Sequence, residues 1–229
     1  MDSGSSVPQT DNGDVSETTT TLILTSGGLR SLVATAVVLT RPTTAIALYL
    51  MDKRPTASKR LEAARHQAQH FKLQPLIESP FPIPQSASLA RQQSVHGDLV
   101  ALYRPQILLI ALSHAIEIQA DHIIWPIQMN GDFEDAAIAT EQVILTETIA
   151  RLSQDQLPQI ESPFLELSDR QLIQLGSQLE VPWQLAWTCM FSGEQPCRAC
   201  DPCRQRQAAF DDAGIVDPTD SPTAANQHH

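Results

Sequence analysis

Basic residues are scarce in this chain, and it has no long apolar run. Its 229 residues include 15 lysines and arginines but 26 aspartates and glutamates, which gives a formal net charge of -11 at pH 7. Sequence-independent nucleic-acid binding needs clustered Lys and Arg that displace phosphate counterions, so this composition argues against it. A membrane-spanning helix needs roughly 20 consecutive apolar residues, and no segment approaches that length. We therefore expect neither a nucleic-acid partner nor a membrane span.

One basic patch departs from this scarcity, near the end of the chain. Arg198, Arg204 and Arg206 follow one another closely there. Two interpretations are open: a local basic spot that binds nucleic acid, or solvated charge on a helix. We favour the second, because runs of charge usually form solvent-facing helix surfaces.

Cysteine is absent outside one short segment, and nothing in the chain is typical of secretion. Residues 1–20, MDSGSSVPQTDNGDVSETTT, have neither a basic start nor an apolar core, so they predict a disordered arm rather than a signal peptide. Residues 219–229 predict a loose tail. Between them we expect one large domain over residues 21–180, and a small metal-binding segment with a C-terminal helix over residues 181–218, in a cytoplasmic protein.

The four cysteines form a single pattern. Cys189, Cys197, Cys200 and Cys203 are spaced C-x7-C-x2-C-x2-C. A tetrahedral Zn2+ site needs four thiolates around one point, and two C-x2-C steps that share Cys200, with a longer loop back to Cys189, supply them. Two disulfides are the alternative, but consecutive C-x2-C steps are short for comfortable bridges. We predict a structural zinc, because four protein ligands leave no open position for an activated water.

Short β-rich apolar segments alternate with longer segments of helical periodicity. The predicted strands cover residues 21–25, 45–50, a stretch near 76–77 and 121–126, and the predicted helices cover residues 31–39, 58–71, 105–119, 134–152 and 168–179. The last helix starts at a capping box, Ser168-x-x-Gln171. Pro80, Pro82 and Pro84 predict a loop after the third strand. This alternation predicts an α/β fold with a doubly wound parallel sheet.

The turn after the first strand has the composition of an anion site. It reads T-S-G-G-L-R-S from Thr25 to Ser31 and leads directly into the first helix. In parallel sheets, ligands bind beyond the carboxyl ends of the strands. Adjacent glycines let backbone N–H groups converge on one anion, and the helix N-terminus adds partial positive charge. The sequence predicts a pyrophosphate cradle here; an ordinary tight turn is the alternative.

Together these motifs resemble one known family. The S-G-G-x-x-S loop at 26–31 and the segment W-T-C...P-C-x-x-C-x-x-C-x-x-R-x-x-A-F-x-x-A-G-x-x-D-P, from Trp187 to Pro218, are similar to the QueC family of PP-loop ATP pyrophosphatases. The resemblance covers most of residues 21–218. It implies an ATP-dependent ligase that converts 7-carboxy-7-deazaguanine and ammonia to 7-cyano-7-deazaguanine, a precursor of queuosine.

The resemblance also implies binding roles for particular residues. Zn2+ is assigned to the four cysteines, and a deazaguanine-like substrate to Asn130 and Asp132. A homodimer is a further expectation, and the catalytic residues stay unassigned. ATP, with Mg2+, is assigned to the loop residues Thr25, Ser26, Gly27, Gly28, Leu29, Arg30 and Ser31.

Several positions depart from the family's pattern. The family loop is S-G-G-x-D-S, and its acid is replaced here by Arg30. A carboxylate can help place Mg2+, whereas a guanidinium cannot bind a metal but can contact phosphate. The lysine usual in L-S-K-x-E is Asp169, and the Y-P-D-C motif is absent after Asp132. Arg60 stands where a Glu is expected, and the P-G-R-N stretch is replaced by Tyr103-Arg104-Pro105-Gln106.

Three functions are open at this point. The first is a QueC-like enzyme that binds a nucleotide and adenylates its substrate, which the intact S-G-G sequence and Ser31 favour. The second is a catalytically silent relative that acts as a nucleotide-binding or regulatory subunit, which the departures favour. The third is a zinc-ribbon adaptor without a nucleotide site, which leaves the alternation of strands and helices unexplained.

Overall fold

Five parallel strands form the centre of the molecule. The computed structural model describes residues 18–52, 56–73, 76–81 and 102–220. Within these ranges the strand order across the sheet is β3-β2-β1-β4-β5, and all neighbouring strands are parallel. β2 and β3 therefore lie on one side of β1, and β4 and β5 lie on the other. This reversal of the strand order creates a topological switch point between β1 and β4. The strands are β1 Thr19–Thr25, β2 Thr43–Met51, β3 Leu76–Pro80, β4 His122–Ile124 and β5 Gln159–Glu161.

Six α-helices flank this sheet in the described ranges. The predicted capping box is confirmed at the fifth: the Ser168 hydroxyl accepts from Gln171 N, and Gln171 Oε1 accepts from Ser168 N at 2.8 Å. Short 3-10 helices follow at Trp183–Leu185 and Pro218–Asp220. The α-helices are α1 Leu29–Val38, α2 Ala57–His70, α3 Tyr103–Glu117, α4 Phe133–Ala150, α5 Asp169–Gln178 and α6 Asp201–Ala213.

Alternate residues of β1 point into two separate apolar layers. Ile23 faces the layer that includes α1, α5 and α6, where Ile173 and Phe210 are fully buried. Leu22 faces the opposite layer with α3 and α4, where Leu108 is fully buried. This two-sided burial is typical of a central strand in a parallel sheet, whose side chains alternate between the faces.

The predicted fold class is confirmed, and the element boundaries differ by a few residues. β1 starts at Thr19 because Thr19 and Thr20 pair with Thr43 and Thr44 of β2. β4 is shorter than predicted, since only three residues pair with β1. β5 was not predicted: it has three residues, and only Ile160 is buried, which is too little for a periodic signal.

Some expectations fall on residues that the structure does not describe. The disordered arm lies outside the described residues up to residue 17, and the loose tail from residue 221 onward. Pro82 and Pro84 also lie outside them, whereas Pro80 is the last residue of β3. Within the described ranges, none of the helices has the length and apolar character required to cross a membrane.

Candidate functional site

The loop after β1 lies at the carboxyl edge of the sheet, at the switch point. β1 ends at Thr25, and its neighbour β4 ends at Ile124. Parallel strands end at the same edge, so Ser26 and Pro126, which follow these two strands, line the same two cavities. This is the position where open α/β sheets bind ligands.

Gly27 makes the sharp turn of the loop possible. Its φ of 69° lies in the left-handed region, which is costly for residues with a Cβ. A Cβ at Gly27 would also lie 2.2 Å from the carbonyl oxygen of Arg60 in α2. The Gly27 carbonyl in turn accepts a hydrogen bond from Trp187 N at 2.8 Å. Gly27 therefore lets the loop pack closely against both α2 and the segment that leads to the cysteines.

Gly28 is the N-cap of α1, and no side chain caps this helix. The first N–H groups of α1 are therefore left without a side-chain acceptor, which is the arrangement that binds anions at helix N-termini. The nearest atom to a Cβ placed on Gly28 is Ser26 Oγ at 3.3 Å, and Gly28 lines the smaller of the two cavities.

The loop residues assigned to the nucleotide divide into two groups. Gly27 and Ser31 line neither cavity, and Ser31 is fully buried, with its hydroxyl donating to the Gly28 carbonyl at 3.1 Å. Ser31 therefore stabilises the loop from its buried side. The residues that line one or both cavities are Thr25, Ser26, Gly28, Leu29 and Arg30.

The larger cavity, of about 550 Å³, extends from this loop across the carboxyl ends of β1, β2 and β4. Its volume lies within the range of ordinary small-molecule sites. Its wall includes both aromatic and charged side chains, so it offers both stacking surfaces and hydrogen-bonding groups. Besides the loop, its lining includes Tyr49, Arg60, Tyr103, Arg104, Trp125, Met129, Asn130, Asp132, Asp135 and Asp169.

A second cavity, of about 310 Å³, lies between the loop, α5 and the segment around the cysteines. Trp187 and Thr188, just before Cys189, form part of its wall. The two cavities adjoin, because they share seven lining residues: Ser26, Arg30, Arg60, Pro126, Gln128, Asp169 and Gln205.

Asn130 and Asp132, assigned to the substrate, both line the larger cavity. Asn130 has a φ of 49° and forms two hydrogen bonds with the first residue of α5. Its Nδ2 donates to Asp169 Oδ2 at 3.2 Å, and its Oδ1 accepts from Asp169 N at 3.0 Å. Asp132 caps α4 by accepting from Asp135 N at 3.0 Å. Both residues therefore also hold the cavity wall in shape.

Arg104 is positioned on the wall of the larger cavity by an ion pair. Its two terminal nitrogens donate to the two carboxylate oxygens of Asp135 at 2.8 and 2.7 Å. These hydrogen bonds lower the pKa of Asp135, which keeps the carboxylate ionised. The sequence shows an arginine out of register with the family motif, but it does not show that this arginine still reaches the cavity.

Two more cavity residues were missed as site candidates. Arg60 projects from α2 and lines both cavities, although the sequence marks it only as a departure from an expected Glu. Tyr49 lies near the end of β2, and its hydroxyl donates to the Ala57 carbonyl at 3.1 Å. Its position at the carboxyl end of a predicted strand was the available signal.

The four cysteines converge on one point. Their sulfur atoms all lie within 4.8 Å of one another, and all four are free thiols. Backbone N–H groups of Phe191 and Cys197 donate to Cys189 Sγ at 3.4 and 3.3 Å. The set has the donor type and spacing of a tetrahedral thiolate site, and it could hold a metal ion.

Two of these thiols have strongly shifted pKa values. Backbone N–H groups of Ala199 and Cys200 lower the pKa of Cys197 to about 6, while burial raises the pKa of Cys203 to about 12. The lowered pKa favours the thiolate of Cys197, and burial disfavours the thiolate of Cys203. A bound dication would stabilise both thiolates.

The prediction that Arg206 is solvated charge is wrong. Arg206 is 7% exposed and forms a bidentate pair with Asp217, which is 3% exposed. Its guanidinium also donates to the carbonyls of Ala186 and Trp183 at 2.9 and 3.1 Å. Asp217 lies too far along the chain for a helix-face pattern to reveal this partner. Arg206 therefore connects α6 both to Asp217 and to the segment before the cysteines.

The parallel sheet, the loop at its switch point and the cysteine segment together define an α/β protein with a candidate anion-binding loop and a candidate metal site. The family described as "Queuosine biosynthesis protein QueC" matches residues 20–214. This chain belongs to the QueC family.

Curated relatives of this chain share the name "7-cyano-7-deazaguanine synthase". One from Nostoc punctiforme is 30% identical over 174 residues, covering 71% of this chain and 78% of its own length. Another, from a Nostoc sp., is 31% identical and covers 67% of this chain and 72% of its own. A third, from Chlorobium phaeobacteroides, is 26% identical over 219 residues and covers 87% and 95%.

Proposed function

We propose that this protein uses ATP to convert 7-carboxy-7-deazaguanine and ammonia to 7-cyano-7-deazaguanine. The observation that carries the proposal is the cavity of about 550 Å³ at the switch point, bounded by the glycine loop and by an α1 N-terminus without a side-chain cap. Membership in the QueC family supports the same function. The zinc-ribbon adaptor has no comparable support, and turnover is the property that separates the enzyme from the silent relative.

The loop fits the phosphates of a nucleotide. Ser26 and Gly28, with the first N–H groups of α1, would hold the phosphate chain, because these donors face a cavity and lack side-chain acceptors. The deazaguanine would lie further along the larger cavity, beside Asn130 and the aromatic side chains of Tyr103 and Trp125. Stacking on aromatic faces suits a flat heterocycle.

The metals of the proposal differ in how well the residues fit them. Zn2+ fits the four cysteines, where it would hold the segment between residues 189 and 203 in shape. Mg2+ has no comparable set of ligands: in the described parts of the chain, no other group of three or more His, Cys, Asp or Glu side chains converges. Mg2+ would therefore arrive mainly with the nucleotide, as is usual for this ion.

Two measurements on the purified protein test this function. Calorimetric titration with ATP and MgCl2 should show binding, and incubation with 7-carboxy-7-deazaguanine, ammonium and ATP should yield the nitrile by mass spectrometry, together with pyrophosphate. Gly28→Val places a branched side chain toward Ser26 Oγ and should weaken ATP binding without the steric conflict found at Gly27. Nucleotide binding without any nitrile would contradict the enzyme and favour the silent relative.

A homodimer is also part of the proposal. α4 exposes large apolar side chains at Ile138, Leu145 and Ile149, spaced by seven and four residues along one face. A contiguous set of large exposed apolar side chains normally marks a protein contact, so a second copy of this chain would cover it.

A further inference from the structure

Two opposite charges lie where the two cavities join. Arg30 is in the first turn of α1, Asp169 is the first residue of α5, and both line the larger and the smaller cavity. Among the residues that the structure describes, Arg30 has no hydrogen-bond or salt-bridge partner. All five N–H donors of its guanidinium are therefore available to a ligand in the cavities.

Asp169, in contrast, is held in place. Its carboxylate accepts from Asn130 Nδ2 at 3.2 Å, and its backbone N–H donates to the Asn130 side chain at 3.0 Å. Although Arg30 is exposed as a residue, the cavity walls crowd its guanidinium and lower its pKa, while the charge of Asp169 opposes that shift. Arg30 stays protonated in either case, so the junction presents a guanidinium beside a carboxylate that Asn130 holds in place.

These charges are the reverse of the family's pattern, which has an acid at the position of Arg30 and a lysine at the position of Asp169. In the sequence they are two separate departures, at the loop and at α5. In the structure both side chains face the same two cavities. The two departures therefore amount to a single exchange of charge between the phosphate loop and α5. Relative to the family's pattern, the loop becomes more positive and α5 more negative by equal amounts.

We propose that Arg30 binds the phosphates of the nucleotide directly and supplies positive charge that a metal ion would otherwise provide, with Asp169 as its anchored counter-charge. A guanidinium can hold phosphate oxygens through parallel hydrogen bonds. The inference rests on the proposed function, because it requires a nucleotide on the loop. It predicts that phosphate binding by this chain depends weakly on Mg2+.

The test measures binding of inorganic pyrophosphate and of ATP by calorimetry, in metal-depleted buffer and again with MgCl2. The variants are Arg30→Gln, Arg30→Asp, Asp169→Lys and the double exchange Arg30→Asp with Asp169→Lys. Arg170→Gln is the matched control, because Arg170 is an exposed arginine on α5, next to Asp169, and lines neither cavity. Thermal melting checks that each variant is folded.

The unmodified protein should bind pyrophosphate in metal-depleted buffer. Arg30→Gln should weaken this binding roughly ten- to hundredfold, the usual effect of losing a charge-assisted hydrogen bond, and Arg170→Gln should leave it within about twofold. The double exchange should bind pyrophosphate only when MgCl2 is present. Its loss of affinity should differ from the sum of the two single losses, because the exchanged groups interact.

Two results would overturn the inference, and they can be told apart. If all proteins bind Mg-ATP but Arg30→Gln binds metal-free pyrophosphate as tightly as the unmodified protein, Arg30 is not a phosphate ligand, while the proposed function stands. If the unmodified protein binds neither ATP nor pyrophosphate under either condition, the proposed function fails together with the inference.

Discussion

Gly27 and Gly28 are adjacent in the sequence but have different roles in the structure. The sequence predicts a joint role in anion binding, since their composition alone cannot show which way each Cα faces. The structure turns Gly27 toward α2 and leaves Gly28 beside the smaller cavity. The loop was therefore predictable as a whole. The separate roles of Gly27 and Gly28 were not, because they depend on the packing of α2, which is distant in sequence.

This division predicts that the same substitution lowers stability at Gly27 and has little effect on stability at Gly28. Gly27→Ala should destabilise the fold by at least about 1–2 kcal/mol, because an L-residue with φ of 69° is strained and its Cβ would lie 2.2 Å from the Arg60 carbonyl oxygen. Gly28→Ala should leave stability nearly unchanged. Urea unfolding of both variants measures the difference, and equal stabilities would show that the close approach to α2 is unimportant.

The buried pair of Arg206 and Asp217 makes a second prediction at this scale. Asp217→Asn should destabilise the protein by about 3–5 kcal/mol, because it leaves the guanidinium buried without its counter-charge. Asp212→Asn on the exposed part of α6 is the control and should have little effect. A loss from Asp217→Asn no larger than that of the control would mean that the pair is replaceable.

The same pair should respond to acid. Burial disfavours the Asp217 carboxylate, but the hydrogen bonds and charge of Arg206 and the donors of Thr219 outweigh it, so its pKa lies below the ordinary value. A depressed folded pKa contributes stability above about pH 4, and that contribution disappears as the pH falls through the folded pKa. The stability gap between the unmodified protein and Asp217→Asn should therefore shrink in acid. A gap that stays constant would contradict this linkage.

At the scale of elements, the strands and helices with strong periodicity were predictable, and the short strands were not. α5 was predicted from its capping box, which depends on residues three apart. β5 has only three residues and is paired by β4, so its signal comes from the neighbouring strand rather than from its own sequence. The role of Asp169 in the wall of both cavities likewise needs the placement of α5 against α1.

The cysteine segment offers a prediction about how elements depend on one another. Trp187 lies two residues before Cys189, and its backbone N–H donates a hydrogen bond to the Gly27 carbonyl. Loosening the cysteine cluster should therefore also loosen the phosphate loop. Cys200→Ser should lower the metal content to well below one Zn2+ per chain, increase hydrogen exchange over residues 183–220 and weaken ATP binding.

Ser192→Ala is the control for this variant, because Ser192 lies in the exposed loop between the first two cysteines. It should retain both metal and ATP affinity. Metal analysis by mass spectrometry and exchange measurements on the same samples connect the two effects. If Cys200→Ser lost its metal but bound ATP normally, the cluster and the loop would be independent of each other.

At the scale of the whole molecule, the exposed face of α4 decides the expected assembly. The sequence predicts α4 as a helix, and only the fold shows that one side of it packs on α3 while another side faces outward. Leu145→Glu places a charge in the middle of that outward face. It should convert a dimer to a monomer in light-scattering measurements, because burying an unpaired charge in an apolar interface is costly.

Thr140→Glu introduces the same charge on another part of α4. Thr140 is exposed, and at about 100° per residue it lies roughly opposite Ile138 around the helix. This variant should keep the assembly of the unmodified protein, which separates the effect of position from that of added charge. Since the cavities lie at the carboxyl edge of the sheet and outside this face, the Leu145→Glu monomer should bind ATP with unchanged affinity. A monomeric unmodified protein, or a dimer that survives Leu145→Glu, would show that the α4 face does not join two copies.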